Sequence, residues 1–134
     1  MSYMLDTNIC IYAIKQNANV ISAINANKDK GLSISAITMS ELEYGVYKSR
    51  HIEKNRLALI KFLSIIEILP YNAGTAHEYG IIRAYLQKHG HLIGNMDLLI
   101  AAHAKSERLT LVTNNFGEYS RIEGLRLENW YNDS

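Results

Sequence analysis

Short apolar runs alternate with longer stretches of helical spacing along the chain. Tyr3-Met4-Leu5 is a compact apolar run stopped by Asp6, the pattern of a first buried strand. Ile9, Ile11, Tyr12 and Ile14 then recur at helical spacing, and the Asn-Ala-Asn stretch after Gln16 breaks it. A second helix is expected over residues 20–27, followed by the charged turn Lys28-Asp29-Lys30-Gly31 and an alternating strand over 32–37. Thr38 opens a helix reaching about residue 49, and another covers 52–64. Residues 66–69 read as a strand ended by Pro70. Helices are expected over 74–88, with Gly90 as its stop, and over 95–107. Residues 109–113 and 125–127 complete the strands.

Strands separated by helices indicate an α/β domain whose central, mostly parallel sheet of four to five strands is flanked by helices. In such a sheet the carboxyl ends of the strands and the amino ends of the following helices share one edge, where ligand sites form. Asp6, the turn at 38–41 and the loop at 113–115 fall at such ends and are expected to converge.

Composition narrows the class. The 134 residues are 48% hydrophobic and 20% charged, which fits one domain over 1–134 with a core sufficient for stability. One proline and eight glycines leave no linker-like stretch. Cys10 is the single cysteine, so an intramolecular disulfide is excluded and a cysteine zinc site is not expected. The amino terminus has no basic region followed by a long apolar stretch, and no apolar run approaches the roughly 20 residues of a membrane span. The expectation is a soluble cytoplasmic protein with no membrane role.

Net charge is only +1, so global charge does not favour nucleic acid. Its distribution does so locally. Lys48, Arg50, Lys54, Arg56 and Lys61 fall within one short segment opposed by Glu53, a cluster suited either to phosphate contacts or to a solvated helix face.

Three acids stand at the expected sheet edge or at a helix start, each with an ordinary explanation. Asp6 suits a helix cap. Thr38-Met39-Ser40-Glu41 matches a capping box, as does Ser40-Glu41-Leu42-Glu43 one step along, which leaves Glu41 and Glu43 unresolved. Asp97 sits in the first turn of an almost wholly apolar helix, where a buried carboxylate needs a partner. Clustered carboxylates repel unless protonated, hydrogen-bonded or bridged by a cation. An all-oxygen donor set suits a hard ion such as Mg²⁺ or Mn²⁺, which activates water and stabilises charge developing on a phosphate.

The segments Met4-Leu5-Asp6-Thr7-Asn8, Thr38-Met39-Ser40-Glu41-Leu42-Glu43-Tyr44-Gly45, Gly94-Asn95-Met96-Asp97 and Leu111-Val112-Thr113-Asn114-Asn115 resemble, in order, the motifs of PIN-domain ribonucleases. The likeness is closest to VapC-type toxins of bacterial toxin–antitoxin pairs and covers nearly the full length. It implies Asp6, Glu41 and Asp97 as catalytic, metal-binding acids, and it chooses Glu41 over Glu43. Asn115 stands where many relatives carry a fourth acid; it and nearby Glu118 are further candidate ligands. Asn8, Thr113 and Asn115 would orient ligands or water. The resemblance further implies Mg²⁺ or Mn²⁺, structured RNA such as a tRNA anticodon stem-loop as substrate, translation as the process inhibited, a VapB-type antitoxin partner and a homodimer. Lys48, Arg50, Lys54 and Arg56 are candidate RNA contacts, with Tyr12 and Tyr44 as candidate stacking residues. The neutral Asn115 also leaves room for a non-catalytic PIN-like module that binds RNA or antitoxin. Cys10 and His103 read as core residues.

Overall fold

The computed structural model describes residues 2–132; positions 1, 133 and 134 of the expected domain lie outside the described residues. Five parallel strands form one sheet in the order β3-β2-β1-β4-β5: β1 Tyr3–Leu5, β2 Leu32–Ser35, β3 Glu67–Leu69, β4 Thr110–Val112 and β5 Leu127–Glu128. Register pairs Tyr3 with Leu32 on one side and with Thr110 on the other, so β1 is central. The strand order reverses across β1, and the crevice between β1 and β4 is the switch point at which open α/β sheets place their sites.

Strand alternation divides the core in two. Tyr3, Leu5, Ile34 and Val112 face one layer, where they pack with residues of α1 (Thr7–Ile14), α2 (Ala18–Asn27), α3 (Ala36–Tyr47) and α4 (Ile52–Leu63). Met4 and Leu111 face the other, against α5 (Ala73–Lys88) and α6 (Asn95–Ser106). Because helices cover both faces, β1 is apolar on both sides, and even the serines that alternate with Leu32 and Ile34 in β2 are buried. Burying each of these side chains is worth about 1.5–3 kcal/mol, which is how such short strands are held.

Several expected boundaries move for identifiable reasons. β2 ends at Ser35, not at Ile37, because the Ser35 hydroxyl accepts from Ile37 N–H at 3.0 Å and starts α3 there. Thr38 is therefore not a cap; it lies inside the helix and is fully buried. The capping box at Thr38–Glu41 does not form. Helix α1 starts at Thr7, one turn's edge earlier than the apolar spacing suggests, because Asp6 caps it. A one-turn helix α7, Phe116–Tyr119, lies in what the sequence leaves as loop. The last strand begins at Leu127 instead of Leu125, since it is Leu127 and Glu128 that pair with Leu111 and Val112. Among the described residues no helix is long and apolar enough to cross a membrane.

Candidate active site at the carboxyl edge of the sheet

Asp6 follows β1 directly, and its own N–H still donates to the Val112 carbonyl at 3.0 Å, which locks it beside β4. Its carboxylate accepts from Ile9 N–H at 2.9 Å, the capping bond of α1. Only 4% of Asp6 is exposed. Burial pushes its carboxyl up to about 6, against hydrogen bonds from Thr113 and Ile9 that pull it down, and the charges of Asp97 and Glu41 push it further up.

Glu41 reaches the site from α3. Its Oε1 accepts from the Thr7 hydroxyl at 2.5 Å, and Thr7 lies 3.2 Å from the hydroxyl of buried Thr38. The carboxylate is thus held by α1 across the cleft rather than by its own helix. Glu43 points elsewhere: Arg56 of α4 donates to it at 2.6 Å. Geometry separates the two glutamates that spacing leaves equivalent.

Asp97 lies half-buried in the first turn of α6. Burial raises its carboxyl; the neighbouring Tyr119 hydroxyl lowers it, while Glu118 and Glu41 raise it again. Helix α7 therefore brings two side chains to Asp97. Glu118 is a candidate from sequence. Tyr119 is not, and its only signal was its place beside Glu118. Its hydroxyl is buried and makes no well-formed hydrogen bond of its own, and burial together with the charges of Asp97 and Asp6 holds the phenol protonated.

The orienting candidates divide. Thr113 is fully buried at the end of β4, accepts from Asn115 N–H at 2.9 Å and hydrogen bonds Asp6. Asn115 is half-buried at the start of α7, and Asn8 is exposed on α1. On the outer surface, Lys48, Arg50 and Lys54 are exposed, with the Lys48 ammonium 5.0 Å from the Tyr44 ring centre. Arg56 is spent partly on Glu43 and lies over Tyr47. Tyr44 is open to solvent, whereas one face of Tyr12 is covered by Tyr131 at 4.1 Å between ring centres. An apolar groove of about 360 Å³ between α1, α3 and α4 is lined by Ile11, Leu42, Val46 and Leu59 and opens onto Glu41, with Lys15 and Lys48 at its rim.

Asp6, Glu41, Asp97 and Glu118 share one electrostatic field at the sheet edge. Among the described residues no three carboxylates, imidazoles or thiols are gathered closely enough to hold a metal ion as they stand. Oxygen donors of this kind, one of them desolvated, are the donor type a hard cation takes.

Acids gathered at the switch point of a small parallel sheet are the setting in which comparison with known proteins gives the chain its class. Residues 3–125 match the model of the PIN domain, and the chain belongs to the PIN-domain family, in its VapC ribonuclease branch. It is 48% identical over 134 residues to Ribonuclease VapC2 of Rickettsia felis, covering 97% of this chain and 98% of that one. A relative from Shigella flexneri, named tRNA(fMet)-specific endonuclease VapC, is 44% identical with the same coverage. The fold superposes with a TM-score of 0.93 on a chain of VapBC2 from Rickettsia felis bound to a promoter DNA fragment, at 45% identity over 97% of this chain and 99% of that one. Nucleases of this family depend in general on a divalent metal.

Proposed function

We propose that this chain is an endoribonuclease that uses Mg²⁺ or Mn²⁺ to hydrolyse phosphodiester bonds in structured RNA, and that it is the toxin of a toxin–antitoxin pair. The observation that carries the proposal is the joint placement of Asp6, Glu41 and Asp97 on one edge, with Asp6 desolvated and coupled to both others. Asp6, Glu41 and Asp97 would hold the ion, with Glu118 as a fourth acid where Asn115 is neutral. A divalent ion bound there supplies a polarised water for attack and stabilises charge developing on the phosphate.

The remaining residues prepare that event. Thr7 donates to one oxygen of Glu41, which leaves the other without a hydrogen bond from Thr7 and available to an ion. Thr113 and the Ile9 N–H keep Asp6 in one orientation, as supporting hydrogen bonds do at metal sites. Lys48, Arg50 and Lys54 offer charge to the RNA backbone, and Tyr44 an exposed ring for stacking.

The tRNA specificity in the name of the Shigella flexneri relative makes tRNA the substrate to test first, and inhibition of translation its consequence. The VapBC2 assembly of Rickettsia felis, on whose chain this fold superposes, supports an antitoxin partner. A homodimer and a cytoplasmic location accompany this reading. Purified, antitoxin-free protein is expected to cut total tRNA into discrete fragments with Mg²⁺ or Mn²⁺. EDTA and Asp6→Ala should each abolish them. Intact tRNA, mRNA and rRNA from folded, metal-supplied protein would instead favour a non-catalytic binding module.

A further inference from the structure

His103 is fully buried in α6, and its two ring nitrogens meet unlike surroundings. Nδ1 lies 2.8 Å from the Ser35 hydroxyl oxygen. Nε2 faces the Glu107 carboxylate at 3.9 Å without a close partner. The carboxylate on that side favours the proton on Nε2, which leaves the Nδ1 lone pair for Ser35. The Ser35 hydroxyl is then used at both ends. Its oxygen accepts from Ile37 N–H at 3.0 Å to start α3, and its proton goes to His103.

That single bridge connects the two helices that deliver acids from opposite layers of the fold. Ser35 stands six residues before Glu41, and His103 six residues after Asp97. Each separation is under two helical turns, too short for a helix to bend and absorb a shift at the bridge. An imidazole with an unpaired buried nitrogen is also a costly occupant of an otherwise apolar helix face, where leucine would fill the space without that penalty. Ile100, Ala101, Ala102 and Ala104 around it are all buried.

We propose that His103 is a positioning residue which, through Ser35, fixes α3 against α6 and so sets the separation of Glu41 and Asp97. The inference rests on the reading of those two acids as ligands of one divalent ion. Mn²⁺ affinity of the antitoxin-free protein, followed by the electron paramagnetic resonance of free Mn²⁺, tests it independently of turnover, with kcat and KM on tRNA alongside. His103→Leu removes the acceptor and is expected to weaken Mn²⁺ binding about tenfold, the scale of losing a supporting partner at a metal site. It should lower kcat and leave KM unchanged. His103→Asn places an oxygen near the position of Nδ1 and should recover most of the binding.

A folded His103→Leu that binds Mn²⁺ as tightly as the parent overturns the proposal, even if its melting temperature falls. Equal losses in the Leu and Asn variants overturn it too. Should His103→Leu not fold, Ser35→Ala and Ser35→Thr carry the test: Ala is expected to weaken Mn²⁺ binding and Thr to preserve it, and unchanged binding in the Ala variant is the refuting result. Asp97→Asn serves as the reference. If it binds Mn²⁺ like the parent, the assignment of the metal site has failed, not the role of His103.

Discussion

Replacing Asp6 by Asn isolates the electrostatic cost of the site from its packing. Asn is close to Asp in size and equally good as a helix cap, so the bond from Ile9 N–H survives. Burial holds the Asp6 carboxyl at about 6 against an ordinary value of 3.8, a difference of about two units. At 1.36 kcal/mol per unit this is about 3 kcal/mol. The sign follows from which state binds the proton more tightly. Below about pH 4 the group is protonated in both the folded and unfolded chain and costs nothing. Between about pH 4 and 6 the unfolded chain ionises first, so stability falls as pH rises, and above about 6 the whole cost is present. Metal-free Asp6→Asn should therefore be more stable than the parent at pH 7.5 by up to about 3 kcal/mol, or about 10 °C for a chain this size. The gap should close as the pH approaches 4. Thermal unfolding followed by circular dichroism in EDTA across that range measures it. Saturating Mn²⁺ should raise the midpoint of the parent and leave that of the variant nearly unmoved. A variant less stable than the parent at pH 7.5 would refute the reasoning, because Asp6 would then contribute through its contacts more than it costs through its charge.

Three further outcomes follow from particular contacts. Thr7→Val keeps the shape but releases Glu41, and turnover should fall about tenfold or more while stability stays within about 1 kcal/mol; steady-state cleavage and chemical denaturation check the two halves. Tyr119→Phe removes a buried hydroxyl with no well-formed bond of its own, so the metal-free protein should be at least as stable as the parent. A loss above about 1 kcal/mol on denaturation would mean the hydroxyl is firmly paired with Asp97. Lys48→Ala combined with Lys54→Ala should reduce the salt dependence of RNA binding by about one to two in log–log slope, and an unchanged slope would move the RNA to another face.

What the sequence made legible was whatever is decided locally. Tyr3-Met4-Leu5 and Leu111-Val112 read as strands because they are buried on both faces, and Asp6 read as a cap because strand-end acids before helices do that. The start of α3 was not legible, since Ser35 and Thr38 are equally good caps by type and only the buried contacts of each decide between them. Glu41 and Glu43 could not be separated by spacing because their partners, Thr7 and Arg56, lie 34 and 13 residues away in the chain. Helix α7 escaped because one turn containing a glycine carries no periodicity. With it went Tyr119, which reaches the site only through that turn.

The central position of β1 also sets an order in time. Its neighbour β2 and the residues Asp6, Thr7 and Glu41 are synthesised in the first third of the chain, whereas β4, Asp97, Thr113, Glu118 and Tyr119 all come from the last. A growing chain can close β1 against β2 long before β4 exists to complete the crevice. Until the last third has been made, Asp97 and Glu118, two of the four acids, and strand β4 are missing. Under the reading proposed above, the ion's site is assembled late, from acids whose first half waits folded against β2 for the second.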